Sequence, residues 1–482
     1  MSNPTKIYND YVRANLPSTM TFDSTTDRYD INNHSFFSFK EANWYFKYVT
    51  KFGYASLSVY AVNNFDPDLV FDFEQSYYRT GGTDSTLSSS VTHARASSAT
   101  MTNSSGNIVT VGNNVARVGH HIYNGSTWVN EGVLHESEAR TNRATNSNLF
   151  SSNNYTKNNI SVTASSVTSP DGSNNGWKIT PTGTNPYIRR GGSISGNFTH
   201  SLYVKKDTAD YVVLGHGAGT KGLLINFSFA SGTVVDTGAY GSSTTYISNT
   251  VENVDNGWYR ISVTGNTGAN NNLVTFPWDS ATAPTNLDSS SNASSSTVYI
   301  YGAQTEVAST PSSYIPTTGS TVTRAAETLT VPAANLPYSS TNMSIQMDGK
   351  MTYADTGAFG TVRLFDWTLD SNNGIIANIT TEGSLDGQIY FTQEEAGVVD
   401  SVNSDAFNIG INVPFNIASR HGSGFINGSI SGTALTANTT PSALPNLSST
   451  NLKIGSNLMG TISKFRMWDE DLTDTGIEEA ST

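Results

Sequence analysis

Short stretches in which hydrophobic and polar residues alternate, separated by turns rich in glycine and asparagine, recur along most of the chain. In the last third of the chain the turns are spaced by roughly 8–12 residues, which is typical of an all-β sandwich. The segment Phe415–Ala434 predicts a hairpin whose turn lies at Asn427 and Gly428, because Asn-Gly is a strong hairpin signal. The segment Leu452–Asp474 predicts a strand, a turn around Gly460 and a second strand. The last residues, TGIEEAST, are polar, and we expect them to fray.

The composition favours short strands joined by polar turns over disorder. Only 13% of the 482 residues are charged, whereas 11% are aromatic, including 23 Tyr and 21 Phe. A disordered chain has the opposite bias, with few aromatic and many charged residues. Tyr, Phe and Thr favour strands, and Ser, Asn and Gly favour turns. The length indicates about two to four domains.

The charge and the missing residue types exclude several kinds of partner and site. The net charge is −13 and no basic stripe is present, so we expect no nucleic-acid binding through phosphate contacts. The chain has no cysteine, which excludes disulfides and thiolate metal sites. No stretch approaches the roughly 20 apolar residues of a membrane span, and MSNPTKIYND carries no secretory signal. We therefore expect synthesis in a cytoplasm and no membrane insertion.

Residues 1–65 differ from the rest of the chain. Their second half is dense in aromatic residues and carries several lysines. Residues 41–62 predict a short helix or two strands, and loose alternation of apolar residues favours strands. A small aromatic-rich head of this kind is either a docking element or a small domain that packs on its neighbour.

Several sequence blocks occur in order after this head. Residues 66–146 contain, in order, LVFDFEQSYYRT, VTHARASSAT, VARVGHHIYNGSTW and EGVLHESEARTN. Further along, Tyr314–Glu327 reads YIPTTGSTVTRAAE. These blocks resemble a module that is frequent in virion proteins of tailed bacteriophages, where it precedes a carbohydrate-binding-like jelly roll. The final strands resemble the closing strands of a laminin-G or concanavalin A-like sandwich.

The resemblance implies an all-β chain of tandem antiparallel β-sandwiches behind a small N-terminal anchor. Residues 1–65 are the expected virion-anchor region, and residues 66–146 are a β-rich connector module. Residues 147–325 are the expected jelly-roll, carbohydrate-binding-like domain. Residues 326–482 are the expected laminin-G or concanavalin A-like domain.

The resemblance also implies a function. The chain is expected to be a virion protein on the particle surface, a tail or head fibre or spike that binds host cell-surface glycans during adsorption. Its expected partners are other virion proteins, bound through residues 1–65, and host surface polysaccharide or lipopolysaccharide. Proteins of this kind are usually homotrimers. Two alternatives stay open: a purely structural capsid decoration or tail adaptor, and a tailspike that depolymerises glycans.

The carboxylates give little support to the depolymerase alternative. Glycosidases need two carboxylates at a set separation across one cleft. Asp72 and Glu74 are predicted on the wet face of a strand, and Glu136 and Glu138 lie in the connector. The E-x-D-x-x-E pattern of laminarinase-like sandwich enzymes is missing, so we expect no enzyme activity.

A concanavalin A-like domain makes Ca²⁺ the metal to consider, bound by aspartates and backbone oxygens. Conceivable ligands are Asp348, Asp355 and Asp366. Their spacing does not match that of an EF-hand loop.

Sugars stack their apolar faces on aromatic rings and bond to amides and charged groups, so exposed aromatic residues are candidates for glycan contact. We predict such contacts for Trp278 in the loop TFPWDS, for Tyr187 with the nearby Arg189, and for Tyr240 and Tyr246 in GAYGSSTTYIS. The alternative for each is a loop anchor or a subunit contact. Four tryptophans in apolar strands are predicted to be core: Trp177, Trp258, Trp367 and Trp468.

Overall fold

The computed structural model describes most of the chain after residue 58. The described ranges are 59–191, 194–218, 221–240, 244–267, 272–285, 295–352, 361–380, 387–406 and 412–482. Before residue 59 it describes one antiparallel three-stranded sheet, made of β1 (Met20–Asp23), β2 (Arg28–Ile31) and β3 (His34–Phe36). Most of the expected anchor, including nearly all of residues 41–62, lies outside the described residues.

Residues 66–146 form short strands and one helical turn, α1 (Leu87–Ser90). The strands are β4 (Leu69–Asp72), β5 (Tyr77–Thr80), β6 (Thr83–Asp84), β7 (Thr92–Ala94), β8 (Ala99–Thr102), β9 (Ile108–Val111), β10 (Arg117–Val118), β11 (His121–Tyr123), β12 (Trp128–Asn130), β13 (Val133–Glu136) and β14 (Arg140–Asn142).

Residues 147–325 form an antiparallel sandwich of two six-stranded sheets. One sheet has the order β15-β18-β25-β20-β21-β22 and the other β16-β17-β26-β19-β24-β23. Every second residue along a strand faces the apolar core between the sheets, for example Leu202 and Val204 in one strand and Ile261 and Val263 in its neighbour. The strands are β15 (Tyr155–Asn158), β16 (Ile160–Ala164), β17 (Trp177–Pro181), β18 (Tyr187–Arg190), β19 (Gly196–Lys206), β20 (Tyr211–Ala218), β21 (Lys221–Ser228), β22 (Thr233–Tyr240), β23 (Thr244–Asn253), β24 (Trp258–Thr267), β25 (Leu273–Trp278) and β26 (Val298–Glu306). A further strand, β27 (Val322–Arg324), lies outside both sheets and pairs with β14.

Residues 326–482 supply most of a second sandwich. A 3₁₀ turn (Ala333–Asn335) follows its first strand, and a C-terminal helix, α2 (Thr473–Ala480), ends the chain. The strands are β28 (Thr328–Val331), β29 (Asn342–Met351), β30 (Thr361–Asp370), β31 (Asn373–Thr380), β32 (Gln388–Glu395), β33 (Val398–Ala406), β34 (Val413–Gly422), β35 (Ile426–Ile430), β36 (Thr433–Ala434), β37 (Leu452–Ile454) and β38 (Met459–Trp468). The predicted all-β fold of antiparallel sandwiches is therefore confirmed.

Strands from residues 66–146 belong to both sheets of this second sandwich. β4 and β13 pair with β38 in the larger sheet, and β7 pairs with β28 in the seven-stranded sheet β33-β32-β31-β30-β37-β28-β7. Phe71, Val133 and Phe465 share one apolar core. In the order of the chain, the first sandwich is thus inserted into the second. The four segment boundaries given above stay predictions.

The predicted hairpin over Phe415–Ala434 forms, but its predicted turn is wrong. β34 and β35 pair around a turn at residues 423–425, and Asn427 and Gly428 lie inside β35. A Cβ at residue 428 would lie 2.0 Å from the ring of Phe391, so packing across the sandwich requires glycine in the strand.

The predicted turn at Gly460 is also wrong. Gly460 lies in β38, where a Cβ would come 2.0 Å from the carbonyl oxygen of Lys350. The chain turns at residues 455–458 instead, and Gly455 has a φ of +67°. β37 and β38 belong to different sheets, so this connection crosses the sandwich.

The expected fraying of the last residues is wrong as well. Residues 473–480 form α2, whose Ile477 and Ala480 are buried against Val62 and Trp468. The apolar side of this short helix therefore closes one end of the larger sheet. No helix among the described residues is long and apolar enough to cross a membrane.

A buried cluster of charges, which we call the ionic junction, joins the two sandwiches. It consists of Arg95, Arg117, Arg324, Glu136 and Glu327, each at most 3% exposed. Arg117 Nη2 lies 2.7 Å from a carboxylate oxygen of each glutamate. Arg95 donates to Glu327, and Arg324 Nε lies 3.0 Å from Glu136. The blocks that resemble the phage module thus supply the charges of this junction.

The arginines hold both glutamates of the ionic junction ionised. Burial alone raises the pKa of Glu136, but Arg324 and Arg117 outweigh this effect and lower it to about 2. Burial likewise opposes ionisation of Glu327, yet His93 and Arg117 hold its pKa well below the usual range. Both carboxylates are therefore anions at neutral pH.

Candidate functional site

A cleft of about 310 Å³ lies where the two sandwiches meet. One wall is the outer face of the jelly-roll sheet at β23, β24 and β19. A second wall consists of the hairpins β8–β9 and β11–β12. The third wall comes from the start of β38, the residue after β29 and the residue before β34. Polar groups are spread over all three walls: Thr102, His120, Glu252, Asn253, Arg260, Thr352, Asn412 and Thr461.

Trp128 and Tyr123 form an aromatic pair on the second wall. They lie directly opposite each other in the β11–β12 hairpin, with ring centroids 5.3 Å apart. The Asn124 side chain accepts from the N–H groups of Ser126 at 3.0 Å and Thr127 at 2.9 Å, which fixes the hairpin turn. Both rings line the cleft and are half-buried, so each offers part of its surface to a bound molecule.

Gly106 supports this aromatic pair. A Cβ at residue 106 would lie 2.4 Å from the indole of Trp128, so the indole rests directly on the backbone of the β8–β9 turn. Gly106 has a φ of +78°, a conformation that favours glycine for a second reason. The position of the indole is thus set by two hairpins together.

A row of side chains crosses the jelly-roll wall. Glu252, Arg260, Tyr203 and Tyr301 are successive cross-strand neighbours on β23, β24, β19 and β26. Directly opposed residues of antiparallel strands point to the same face. The guanidinium of Arg260 lies 5.5 Å from the ring centroid of Tyr203. The row therefore places a carboxylate and a guanidinium side by side.

The ionic junction contacts the segment at residues 311–314, which lines the cleft. Ser313 donates to Glu136 through its N–H at 2.8 Å and its hydroxyl at 2.6 Å. Arg260 Nη2 donates to the carbonyl oxygen of Ser312 at 2.7 Å. The lining segment at residues 311–314 is therefore bonded to both sandwiches.

His120 is a neutral group of this cleft. Burial and the nearby charge of Arg117 lower its pKa to about 3. Its Nδ1 accepts from the backbone N–H of Thr102 at 3.2 Å. At neutral pH the side chain carries no charge and ties the two hairpins of the second wall to each other.

The structure brings three of the predicted glycan residues together, but not in the cleft. Trp278 is only 7% exposed, and its Nε1 donates to the carbonyl oxygen of Thr282 at 2.8 Å. Tyr187 packs against the same apolar cluster, and the guanidinium of Arg189 lies 5.2 Å from its ring centroid. This cluster lies on the outer face of the other jelly-roll sheet. The predicted loop position of Trp278 is wrong, because this residue ends β25, and its bond to Thr282 anchors the segment that follows the strand.

The other two predicted glycan residues lie apart from these three. Tyr240 ends β22, where it pairs with Gly222, and its side chain is outside the described part of the chain. Tyr246 on β23 packs against the jelly-roll core, and its hydroxyl accepts from Asn249 at 2.5 Å. Tyr246 does not line the cleft.

The two described candidates for Ca²⁺ ligands do not come together. Asp348 lies on β29 of the larger sheet and accepts from Gln346. Asp366 lies on β30 of the opposite sheet, where Arg363 and Thr368 each donate to it at 2.6 Å. Asp355 lies outside the described residues. The two described aspartates therefore do not fit a shared calcium ion.

The described residues contain one group of three carboxylates with oxygens within 4.8 Å, namely Asp68, Asp469 and Glu470. Burial and the charge of Asp469 raise the pKa of Asp68 to about 6. Burial and a hydrogen bond with Asp469 raise that of Glu470 to about 8. Protons shared between these carboxyl groups account for their close approach.

The aromatic pair of the cleft did not figure among the predicted glycan residues. The signal was present as HIYNGSTWVN, in which Tyr123 and Trp128 directly flank the four turn-forming residues 124–127, which begin with Asn-Gly. This pattern predicts a hairpin with a cross-strand aromatic pair. Which loop aromatic residues stay open to solvent depends on contacts distant in sequence. By contrast, the predicted burial of Trp258, Trp367 and Trp468 is confirmed, and Trp177 is half-buried.

No protein-family model matches the chain, and no curated protein matches it. Solved structures with a similar part include the binding domain of botulinum neurotoxin serotype D, at 15% identity and a TM-score of 0.26. That match covers 32% of this chain, which spans only 40% of the neurotoxin domain.

Two smaller solved domains each match about a third of this chain. The CBM40 of Ruminococcus gnavus IT-sialidase, bound to α2,3 sialyllactose, has 12% identity and a TM-score of 0.24, with 29% of this chain and 82% of that one covered. Domain 4 of AbnA, a GH43 extracellular arabinanase from Geobacillus stearothermophilus, in complex with arabinotriose, has 14% identity and a TM-score of 0.26, with 36% and 82% covered. Likenesses this distant do not bear on function.

Proposed function

We propose that the chain binds a cell-surface glycan in the cleft between its two sandwiches. The observation that carries the proposal is the pairing of an aromatic surface, Trp128 and Tyr123, with the polar row of Glu252 and Arg260 across one concave site. Sugars need both features, because their apolar faces stack on aromatic rings while their hydroxyls need hydrogen-bond partners. The site is held by the ionic junction, so little ordering is required on binding.

We further propose that the chain serves this role on a phage particle, as a tail or head fibre or spike during adsorption. The support is the resemblance of the blocks in residues 66–146 and at Tyr314–Glu327 to the phage module. In this proposal residues 1–65 attach the chain to other virion proteins, and the chain acts as a homotrimer. Three linked sites would raise the avidity for a repeating polysaccharide by a factor on the order of 10² or more.

A depolymerising tailspike is disfavoured by the carboxylates of the cleft. Among the described lining residues these are Glu136 and Glu252. A glycosidase needs a carboxylic acid with a raised pKa as proton donor. The pKa of Glu136 is lowered to about 2, and its oxygens accept from Arg117 and Ser313. Glu136 therefore cannot donate a proton at neutral pH.

The test is to incubate the purified full chain with host cells, with their capsule and with their lipopolysaccharide. We expect retention of the chain on one of these glycans without shortening of the polymer, measured by co-sedimentation and by size-exclusion chromatography of the glycan. Loss of polymer length would favour the depolymerase. Absence of any association would contradict the proposal and favour the structural capsid or tail role. Labelling the chain on intact particles, seen at low resolution, tests the virion assignment separately.

A further inference from the structure

We infer that the cleft selects neutral sugars over acidic ones, and that the neighbouring side chains of Glu252 and Arg260 recognise adjacent hydroxyl groups of such a sugar. This inference rests on the proposed glycan-binding function. It names two specificity-determining residues and the chemical class of the ligand.

The first step is the position of the two side chains. Glu252 and Arg260 are paired across β23 and β24, and both line the cleft. Arg260 is 7% exposed, and its Nη2 donates to Ser312 O at 2.7 Å and Ser201 Oγ at 3.2 Å. Its Nε is buried and has no hydrogen-bond partner among the described residues. Buried polar groups are nearly always bonded, so a donor of this kind points to a missing acceptor.

The second step is the balance of charge. Burial lowers the pKa of Arg260, but the pKa ends up raised because Tyr203 and the carboxylate of Glu252 favour the charged guanidinium. The arginines of the ionic junction next to the cleft are already committed to Glu136 and Glu327. The described lining residues thus offer no cation without a nearby anion. An acidic sugar would meet Glu252 and a chain of net charge −13, and like charges brought together disfavour binding.

The third step is the match to a diol. A carboxylate accepts hydrogen bonds from hydroxyl groups, and a guanidinium donates them to hydroxyl oxygens. Two hydroxyls on adjacent ring carbons can each donate to Glu252 or accept from Arg260. The ring face beside them is then free to lie on Trp128 or Tyr123. A neutral pyranose with adjacent hydroxyls therefore matches the paired side chains of Glu252 and Arg260 and the aromatic pair.

The test uses matched polymers and the full chain. The probes are neutral glucan, galactan and mannan, each before and after oxidation of its primary hydroxyl to a carboxylate, together with native acidic and neutral host capsules. Binding is measured by biolayer interferometry at two salt concentrations. We expect one or more neutral probes to bind at least about tenfold more tightly than the oxidised partner, with little dependence on salt.

Two variants sharpen the test. Glu252→Gln keeps a hydrogen-bonding group but removes the negative charge, and we expect it to narrow the preference against the oxidised probe by about 2–5-fold. Arg260→Lys keeps the positive charge but loses the planar set of N–H donors. We expect it to lower the affinity for the neutral probe without changing the preference for the neutral over the oxidised probe. Glu138→Gln, an equal charge change outside the cleft, is the control and should alter neither value.

The outcomes separate this inference from the proposed function. Binding confined to carboxylated probes, or a preference unchanged in Glu252→Gln, overturns the inference and leaves glycan binding intact. Binding to none of the probes and none of the capsules overturns both. A neutral preference that Glu138→Gln reduces as much as Glu252→Gln would assign the effect to net charge and so also overturn the role of Glu252.

Discussion

Replacing Glu327 by glutamine tests whether the ionic junction holds the two sandwiches together. The carboxylate of Glu327 is buried and accepts from Arg117 Nε at 3.0 Å, from Arg117 Nη2 at 2.7 Å and from the N–H of Glu136 at 2.7 Å, besides Arg95. Glutamine has the same shape, but its NH₂ group would face donors. Arg95 would lose its counter-ion, and Arg117 would keep only Glu136. Breaking a buried pair in this way costs about 3–5 kcal/mol.

The magnitude can be measured by urea unfolding followed through tryptophan fluorescence. With an m-value of about 3 kcal/mol/M, the expected loss lowers the urea midpoint by about 1–2 M. Glu138→Gln is the matched control, because the Glu138 side chain is 57% exposed in its pair with Arg140. Because the carboxylate of this pair is largely in solvent, the pair should contribute about 1 kcal/mol or less.

The pH dependence of the same variant adds a second check. The pKa of Glu327 is lowered in the folded chain, so its stabilisation is fully present above the unfolded value near 4.5 and is lost as the pH falls below it. The difference between wild type and Glu327→Gln should therefore shrink in acid. A variant within about 1 kcal/mol of wild type at neutral pH would refute the reasoning.

Three further predictions follow from buried groups. Burial lowers the pKa of His216 to about 3, so as the pH falls the unfolded chain binds a proton at this residue before the folded chain does. The free energy of unfolding should therefore fall by about 1.4 kcal/mol for each pH unit of acidification between pH 6.5 and 3 for such a histidine. His216→Gln should reduce this pH dependence in urea titrations, and an unchanged pH dependence would contradict the assignment. Gly428→Ala should cost about 1–3 kcal/mol through its clash with Phe391, whereas Gly424→Ala in the same hairpin meets open space and should be neutral by the same measurement. Ile477→Ala should lower the free energy of unfolding by about 2–5 kcal/mol and make α2 sensitive to limited proteolysis, because Ile477 is buried. Thr475→Ala should do neither, because Thr475 is exposed. Equal proteolysis of the two variants would instead support a frayed C-terminus.

Local pattern predicted the class of the fold but not all of its connections. Alternation along the strands gave the all-β sandwiches, because the period of two reports which face is buried. The Asn-Gly rule misplaced one turn, since the ring of Phe391 on another strand requires glycine at residue 428 inside β35. A local rule cannot contain a contact made across the sandwich.

The site was harder to predict for the same reason. Glu327 bonds to Arg95 and Arg117, residues more than 200 positions earlier, and no local pattern reports that pairing. Trp278 and Trp128 look alike as loop tryptophans in the sequence. Only the fold shows that Thr282 and the apolar cluster cover the first, while the second lies on Gly106 at the edge of the cleft.

These two tryptophans provide the most direct test of glycan binding in the cleft. The measurement is the affinity of Trp128→Ala and Trp278→Ala for the host polysaccharide that retains the wild-type chain, taken below the melting transition of each variant. We predict that Trp128→Ala binds at least about tenfold more weakly with a nearly unchanged melting temperature. Trp278→Ala should melt earlier but bind as tightly as wild type. Wild-type affinity in Trp128→Ala, or an equal loss in folded Trp278→Ala, would contradict the account.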